Sequence, residues 1–279
     1  MHRMDKKLTV VTAVWNVIRN GGKESLAKCL ASVRNLPFAH EHIVIDGGSD
    51  DGTVAYVREY SPRAKIVSEP DRGIYDALNK GLSIAEGDYF YVLGADDFIE
   101  CPEPMEKALR KARDCNFDLM ISPVFNDTMD GRVLWPENPK KLRRILYRMC
   151  YSHQGLLMKT TVARQFGGFD LRYRISSDCH LALKAILANA SVSVSWSPYA
   201  NFGQQGVSSK PLLRTLEMTK MLGDVFGLDE SQATELNRFG RLPLLLNLRL
   251  MAHASPMVRK SAAFLLKRRL FRRTSGSSE

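Results

Sequence analysis

The stretch that decides the fold runs from Glu69 to Asp97 and reads EPDRGIYDALNKGLSIAEGDYFYVLGADD. It joins a polar, glycine-containing loop to a helical pattern, and that pattern to an apolar run, Tyr89–Leu93, followed closely by two adjacent carboxylates, Asp96 and Asp97. Because aromatic and β-branched residues fill this run, we expect a buried strand with both carboxylates at its carboxyl end. Open α/β sheets bind their ligands at that edge.

Paired carboxylates in this position suit a hard divalent cation. Mg²⁺ and Mn²⁺ bind through one or two carboxylates together with phosphate oxygens of a substrate. Asp96 and Asp97 therefore predict a Mg²⁺ or Mn²⁺ site and a phosphate-bearing ligand. The alternative is that the pair only caps the turn into a helix that Pro102 begins.

Strand and helix patterns alternate through the first hundred residues. Leu8–Val14, Ile43–Ile45 and Lys65–Val67 are short apolar or β-branched runs, and helical spacing follows each of them. This alternation is typical of right-handed parallel βαβ units. We therefore predict an α/β body over residues 1–205 with a mostly parallel central sheet. One of its helices is predicted to pack through Ile74, Ala77, Leu78, Gly81, Leu82 and Ala85.

The chain beyond residue 205 differs in charge. Asn201–Ser209 is predicted to be a polar linker, and residues 206–279 a basic helical extension whose last residues are disordered. The net charge is +10, and the ten charged residues between Leu236 and Ser278 are all basic. Basic residues beside apolar clusters are attracted to anionic lipid, so an inner-leaflet membrane surface is a candidate partner. A solvated charged face is the alternative.

The composition, 44% apolar and 25% charged over 279 residues, is that of an ordinary soluble protein with a large core. Five scattered cysteines without a CxxC pair indicate reduced thiols and argue against a zinc site. No window reaches the roughly 18 uninterrupted apolar residues that cross a bilayer. We expect a cytoplasmic protein, peripheral at the inner face of the cell membrane.

Several separated segments resemble family 2 glycosyltransferases of the GT-A fold, and within them the bacterial enzymes of polysaccharide and lipopolysaccharide biosynthesis. The resemblance covers roughly residues 8–200. It depends on the first strand ending at Asn16, on IDGGSDDGT (45–53), EPDRGIYDALNKG (69–81) and GDYFYVLGADD (87–97), and on HQGLLMK, GGFD and SSD, the last ending at Asp178. Each segment alone is weak, whereas their order and spacing together are specific.

The resemblance implies a Rossmann-like fold that binds a nucleotide-sugar donor, most often a UDP-sugar in this family. The implied donor-binding residues are Thr12, Asn16, Asp46, Asp71, Asp76, Asn79 and Asp96. Asp178 matches the catalytic base, and His153 with Gln154 lies on the acceptor side. The expected reaction is a metal-dependent inverting transfer of one sugar to a growing glycan, which in such enzymes is often lipid-linked.

Structural roles compete with these implied ones. Asp46 is also suited to capping a turn, Asp76 to stabilising the first turn of a helix, and Asp178 to capping a helix. The metal motif departs from the family pattern because Gly94 stands where an acid is usual, two residues before Asp96. The sequence does not determine whether Asp96 or Asp97 would bind the metal.

Two other classes of function are open at this point. A sugar nucleotidyltransferase would share the α/β architecture, but it generally carries a glycine-rich basic loop after the first strand, where this chain has WNVIRNGGK (15–23). A non-catalytic scaffold with a nucleic-acid-binding tail would need a binding fold or a basic groove, and neither is recognisable. We therefore expect a glycosyltransferase with no nucleic-acid partner.

Overall fold

The computed structural model describes residues 8–128, 131–136, 144–147, 151–203, 211–240, 243, 246, 247, 250, 258–263 and 265. Its strands are β1 Leu8–Val14, β2 His40–Asp46, β3 Lys65–Ser68, β4 Tyr89–Val92, β5 Phe98–Ile99, β6 Leu119–Ile121, β7 Val124–Thr128, β8 Gly131–Trp135, β9 Leu156–Lys159, β10 Val192–Val194 and β11 Ala200–Phe202. Its helices are α1 Lys23–Arg34, α2 Thr53–Tyr60, α3 Ile74–Ile84, α4 Pro102–Asp114, α5 Thr160–Gln165, α6 Ser177–Leu187, α7 Pro211–Phe226 and α8 Glu230–Phe239.

The central sheet has seven strands in the order β10-β6-β9-β4-β1-β2-β3. All neighbouring pairs are parallel except those of β9, which runs antiparallel to both β4 and β6. The prediction of a mostly parallel α/β sheet is confirmed. After β3 the chain crosses back to place β4 on the other side of β1, so the strand order reverses between β1 and β4. That reversal opens a crevice at the carboxyl ends of the strands.

Both faces of the sheet are covered, which explains why β1 consists of apolar and β-branched residues and is buried along most of its length. Alternate side chains of a strand point to opposite faces. Leu8 and Val10 pack in one hydrophobic cluster with α1 and α4, whereas Val11 packs in another with α3 and α6. Gly81 of α3 lies directly over β1, since a Cβ there would be 2.5 Å from Cγ1 of Val11. The glycine therefore allows the close approach of helix and sheet.

The packed face of α3 differs from the predicted one by a single residue. Ile74 is 51% exposed, and Tyr75 is buried in its place. Ala77, Leu78, Gly81 and Leu82 are buried as predicted. Ile74 is the first residue of the helix and lies at its solvent side, where apolar spacing alone does not determine the exact start of the buried stripe.

A second sheet of four strands, in the order β5-β11-β7-β8, was not predicted. The prediction of a polar linker from Asn201 is wrong at its start, because Asn201 is buried in β11 and pairs with both β5 and β7. The remainder of that linker, residues 204–209, lies outside the described residues. The dipeptide Asp130-Gly131 is typical of a hairpin turn, and β7 and β8 pair antiparallel on either side of it, although Asp130 lies outside the described residues. Strands β5 and β11 flank the loop that carries Asp96 and Asp97.

The described part of the predicted extension is helical and shares the core of the α/β body. Met218, Met221 and Leu222 of α7 and Leu236 of α8 belong to the same hydrophobic cluster as α3 and α6. Helix α8 begins with a capping box between Asp229 and Gln232. None of the described helices has the length and apolar content to cross a bilayer. Seven of the ten basic residues and the last fourteen residues lie outside the described ranges, so the basic character and disorder of this end stay predictions.

A buried histidine on β2 makes the stability of the fold sensitive to acid. His42 is buried, with its Nε2 3.2 Å from Oγ1 of Thr12 and its Nδ1 3.5 Å from Oγ of Ser61. Burial, together with the charge of His40, lowers the pKa of His42 to about 3. The neutral ring thus stabilises the fold above its ordinary pKa of 6.5, and this contribution is lost as the pH falls toward 3.

We expect the free energy of unfolding to fall more steeply with decreasing pH in the wild type than in a His42→Leu variant. One proton bound on unfolding corresponds to a difference in slope of about 1.4 kcal/mol per pH unit. Urea titrations at pH values between 7 and 4 measure both slopes. The variant is expected to be less stable at pH 7, because the hydroxyls of Thr12 and Ser61 lose their partner. Equal slopes would contradict this account.

Candidate active site

The candidate site lies at the carboxyl ends of β1 to β4. Trp15 follows β1, Gly47 follows β2 and Asp71 lies shortly after β3. A Cβ at Gly47 would be 2.6 Å from Oδ2 of Asp71 and 3.3 Å from Cδ1 of Trp15, so the three loops meet there. Trp15 is 61% exposed, which leaves an aromatic face open at this edge. The missing side chain of Gly47 makes room for the Asp71 carboxylate.

Asp97 is enclosed by hydrogen-bond donors. It is only 2% exposed, and its Oδ2 accepts from the backbone N–H of Gly94 at 2.9 Å and from Nε2 of Gln154 at 2.7 Å. Its Oδ1 accepts from the backbone N–H of Gly203 at 2.7 Å. These bonds join the end of β4, the turn before β9 and the end of β11. Asp97 therefore holds three segments together at the base of the site.

Asp96 is partly exposed at the same edge. It lies against Gly203, where a Cβ would be 2.6 Å from Oδ2 of Asp96. No group of three or more His, Cys, Asp or Glu side chains in the described ranges could hold a metal ion by itself. Of the two adjacent carboxylates, Asp96 is partly exposed and Asp97 is buried.

The departure at Gly94 has a steric explanation. A Cβ at this position would lie 2.6 Å from Oδ2 of Asp97 and 3.1 Å from Oδ1 of Asp96. The carboxylate of Asp97 thus occupies the space that a side chain at position 94 would need. An acidic side chain at residue 94 would therefore require the Asp97 carboxylate to move from its present position.

Gly94→Asp, which would restore the usual family pattern, is therefore expected to impair the site instead of improving it. The new side chain would displace Asp97 from its three donors and add a like charge beside Asp96. We expect a lower melting temperature and weaker donor binding than in the wild type, measured by scanning calorimetry and titration calorimetry. Gly94→Ala is the matched comparison, because it adds the same Cβ 2.6 Å from Oδ2 of Asp97 without the second charge. Tighter metal-dependent donor binding by Gly94→Asp would contradict this explanation.

Asp178 lies at the amino end of α6, as its second residue, where the helix dipole favours negative charge. Its carboxylate is buried, and its Oδ1 accepts a hydrogen bond from the hydroxyl of Tyr75 at 3.1 Å. Burial raises the pKa of Asp178, and the nearby His153 and the bond from Tyr75 offset part of that rise. A buried carboxylate with a raised pKa is a stronger base than an exposed aspartate.

His153 stands between the two ends of the site. Its Nε2 is 3.8 Å from Oδ2 of Asp97 and its Nδ1 is 3.7 Å from Oδ2 of Asp178. Burial alone would lower the pKa of His153, but the carboxylates of Asp97 and Asp178 raise it. The side chain is 29% exposed, so one part of the ring faces the open side of the site. The structure thus brings Asp97, His153 and Asp178 together.

Gln154, the other residue predicted on the acceptor side, has an internal role instead. It is buried, its Nε2 binds Asp97, and its Oε1 accepts a hydrogen bond from the hydroxyl of Ser152. Its backbone oxygen accepts from the hydroxyl of Tyr91 at 2.8 Å. With its amide group engaged in this way, Gln154 supports the carboxylate of Asp97, and His153 alone of the pair faces the site.

Asn16 and Asp46 shape the donor-side loop. Oδ2 of Asp46 accepts from the backbone N–H groups of Gly48 and Ser49 and from the hydroxyl of Ser68, and its Oδ1 accepts from the hydroxyl of Ser49. Asn16, with φ of 45°, accepts from the backbone N–H of Asp50 at 3.1 Å through its Oδ1. Asp46 is fully buried, so the structure uses its carboxylate as the turn cap that the sequence left open.

Three further residues predicted to bind the donor are engaged within the protein. Thr12 is fully buried and contacts Cys29 and His42, so its assignment to the donor site is corrected. Asp76 lies in the first turn of α3 and accepts hydrogen bonds from the backbone and the side chain of Arg72. These bonds lower the pKa of Asp76. Asn79 uses both ends of its amide on the backbone of Phe169, at 2.7 and 2.8 Å.

Two residues of the site were not predicted, Tyr75 and Trp15. The hydroxyl of Tyr75 binds both Asp178 and the backbone oxygen of Ile175. Tyr75 is an aromatic residue next to Ile74 of the predicted apolar face of α3, and this position was the only indication in the sequence that its side chain is buried near the site. For Trp15, the indication was an aromatic side chain at the carboxyl end of a strand, next to Asn16.

Comparison with known proteins identifies the family of the chain. The model of Glycosyl transferase family 2 matches residues 9–175. A Mycobacterium tuberculosis protein named as an uncharacterized glycosyltransferase is 31% identical over 196 residues, which cover 67% of this chain and 71% of that protein. A PGL/p-HBAD biosynthesis glycosyltransferase of Mycobacterium bovis is 27% identical over 210 residues, covering 71% and 81%.

Solved structures share the fold at low sequence identity. TarS of S. aureus (residues 1–349), in complex with UDP-GlcNAc, superposes with a TM-score of 0.64 at 16% identity, over 94% of this chain and 72% of that one. The mannosyltransferase PcManGT of Pyrobaculum calidifontis, in complex with GDP-Man and Mn²⁺, gives a TM-score of 0.63 at 17% identity, over 92% and 73%.

The mostly parallel sheet with its crevice at the carboxyl edge, together with the likeness to these structures, defines a GT-A-like α/β fold. More particularly, the chain belongs to glycosyl transferase family 2. This membership favours sugar transfer over the nucleotidyltransferase and scaffold hypotheses.

Proposed function

We propose that this enzyme transfers one sugar, with inversion, from a nucleotide-sugar to a growing cell-surface glycan, using Asp178 as the base. The observation that carries the proposal is the cluster of Asp97, His153 and Asp178 beside Asp96, with His153 less than 4 Å from both of its carboxylate neighbours. The cluster lies at the crevice where α/β folds of this class bind ligands. Asp178 would supply the base at one end, and Asp96, beside the cluster, the cation-binding group at the other.

In a single displacement, the acceptor oxygen attacks the anomeric carbon while the nucleoside diphosphate leaves from the opposite face. One carboxylate is enough to take the hydroxyl proton, provided that it lies within hydrogen-bond reach. Asp178 suits this role because its environment raises its pKa while Tyr75 fixes its orientation. His153 is the partly exposed polar group beside it and is proposed to orient the acceptor hydroxyl.

The donor is proposed to lie between Trp15, Asp71 and Asp96. The exposed ring of Trp15 is suited to stacking on a nucleobase, and Asp71 to accepting a hydrogen bond from the base or ribose. A Mg²⁺ or Mn²⁺ ion would be held by Asp96 together with the diphosphate of the donor. When bound, such an ion neutralises the charge that grows on the leaving diphosphate. UDP is the first nucleotide to test, as in the UDP-GlcNAc complex of TarS.

The acceptor is proposed to be lipid-linked and reached at an anionic membrane surface. Three leucines at the start of α7, Leu212, Leu213 and Leu216, are exposed, the first by 73%. Arg214 and Lys220 of the same helix are exposed as well. Apolar side chains rimmed by basic ones favour an interface of anionic lipid and water. This location also suits the polysaccharide and lipopolysaccharide biosynthesis that the sequence predicts.

The proposal is tested by incubating the enzyme with UDP-, GDP- and dTDP-linked sugars, with Mn²⁺, with Mg²⁺ and with a chelator. The acceptor is offered in a lipid-linked form in anionic vesicles and in a water-soluble form. We expect release of one nucleoside diphosphate only when a metal ion is present, faster with the lipid-linked form. NMR of the product should show an anomeric configuration opposite to that of the donor. Retained configuration, or equal rates with the chelator, would overturn the proposed mechanism.

A further inference from the structure

Glu217 of α7 reaches the segment that leads into the proposed base. Its Oε1 accepts from the backbone N–H groups of Ile175 and Ser176, both at 2.6 Å, and its Oε2 accepts from that of Arg174 at 2.7 Å. One carboxylate therefore binds three consecutive backbone N–H groups. Hydrogen bonds to an ionised acceptor are stronger than those between neutral groups.

These three residues set the position of Asp178. Ser176 is the N-cap residue of α6, and its own side chain makes no capping hydrogen bond. Asp178 follows it by two positions. Ile175 is held from both sides, since its N–H donates to Glu217 and its carbonyl oxygen accepts from the hydroxyl of Tyr75 at 2.7 Å. The same hydroxyl bonds to Asp178, so Glu217, Ile175, Tyr75 and Asp178 form one connected set.

Helix α7 is anchored well enough to hold Glu217 in place. Met218, Met221 and Leu222 are buried in the hydrophobic cluster that also contains residues of α3 and α6. One helical turn beyond Met221, Oδ2 of Asp224 accepts from the hydroxyl of Tyr173 at 2.6 Å. A carboxylate on such a helix is a rigid support for a loop.

We propose that Glu217 is a positioning residue for the proposed base Asp178, and that α7 is therefore part of the active site. This inference rests on the proposed role of Asp178. Glu217 does not touch the substrate in this account. It fixes the backbone of residues 174–176, and thereby the place from which the Asp178 carboxylate meets the acceptor hydroxyl. A small displacement of a base is costly to the chemical step and has little effect on donor binding.

Glu217→Gln tests the proposal with a side chain of nearly the same size. Its amide NH₂ group would oppose a backbone N–H, so at least one of the three hydrogen bonds is lost. We expect kcat to fall about 10-fold or more, the scale of a misplaced catalytic group. The donor KM and the calorimetric affinity for the nucleoside diphosphate with Mn²⁺ are expected to stay within twofold. Glu217→Ala should lower kcat further.

Asn237→Ala is the matched control, because the amide of Asn237 anchors the same helix from α8, through the backbone oxygen of Thr215 and the hydroxyl of Thr219. It is expected to lower the melting temperature at least as much as Glu217→Gln, with kcat close to that of the wild type. Wild-type kcat in Glu217→Gln would overturn the inference. So would equal losses of kcat in both variants, which would mean that general loosening of α7 is the cause. Asp178→Asn is measured in parallel to distinguish failure of the positioning role of Glu217 from failure of the proposed base. Full activity of Asp178→Asn would overturn the role of Asp178 as the base.

Discussion

Asp178→Asn is expected to lower the rate of sugar transfer by about 10²–10⁴-fold, the range that general acid–base catalysis contributes. Asparagine keeps the size of the side chain and can still accept a hydrogen bond from Tyr75, but it cannot take a proton at neutral pH. Donor binding should persist, because the donor is proposed to lie with Trp15, Asp71 and Asp96. Single-turnover transfer and titration with nucleoside diphosphate separate the two effects.

The same variant should be as stable as the wild type at pH 7, or more stable. Burial raises the pKa of Asp178, so the folded protein resists ionising this carboxyl at neutral pH. A group whose pKa is higher in the folded protein than in the unfolded chain stabilises the fold at low pH, and this contribution is lost as the pH rises. Substitution by a neutral amide removes this cost. The wild-type transfer rate, in turn, should decline with acidification at a pH above the ordinary aspartate value of 3.8.

Asp118→Asn provides the matched control. Asp118 precedes β6 and accepts from Ser191 and Lys159, and those hydrogen bonds hold its pKa below the ordinary value. Its loss should lower the melting temperature at pH 7, with the transfer rate per folded molecule unchanged. The two variants are thus expected to differ in opposite ways: Asp178→Asn loses activity but not stability, and Asp118→Asn loses stability but not activity. An Asp178→Asn enzyme with the wild-type rate, or one that fails to fold, would contradict the assignment.

The second large effect separates Asp96 from Asp97. Asp96→Ala is expected to abolish metal-dependent transfer with little change in the melting temperature, because this partly exposed carboxylate is proposed to meet the diphosphate and the cation. Asp97→Ala should lower the free energy of unfolding by about 3 kcal/mol or more, since it leaves three donors without their acceptor at about 1–3 kcal/mol each. Those donors are the N–H groups of Gly94 and Gly203 and the amide of Gln154.

Denaturant titration and transfer assays of both variants measure this contrast. Asp50→Ala is the control for removing an exposed acid of the donor side, and its paired Arg19 is also exposed, so a small effect on stability is expected. The account would be wrong if Asp97→Ala were the fully folded, inactive variant and Asp96→Ala the unstable one. In that case Asp97 would be the residue that meets the ligand.

Much of the fold was predictable from the sequence because its elements are long and apolar on one or both faces. The spacing of Leu26, Leu30 and Val33 predicts α1, and the apolar and β-branched run of β1 predicts a strand covered on both sides. The second sheet was not predictable in this way. Its strands β5 and β11 have two and three residues, which are too few to show an alternation of apolar and polar residues. They pair with each other across about 100 residues of sequence, so no local pattern indicates the pairing.

The candidate site was predictable in its location but only partly in its residues. Asp96, Asp97 and Asp178 lie at the ends of elements, where sequence patterns are informative. Thr12 and Asn79, by contrast, match the same segments yet turn inward, because whether a polar group faces a ligand or a backbone partner depends on the fold around it. Glu217 lies outside the segments that carry the resemblance, so its hydrogen bonds to residues 174–176 could be found only in the structure.

The measurement that tests the central claim most directly is calorimetric titration of UDP-, GDP- and dTDP-linked sugars into the wild type and Asp96→Ala, with and without Mn²⁺. The account predicts that sugars of one nucleotide bind the wild type when Mn²⁺ is present, and that Asp96→Ala loses this binding while keeping its melting temperature. Absence of donor binding under every metal condition would contradict it, as would equal binding by both proteins. Either result would mean that the carboxyl ends of β1 to β4 are not the donor site.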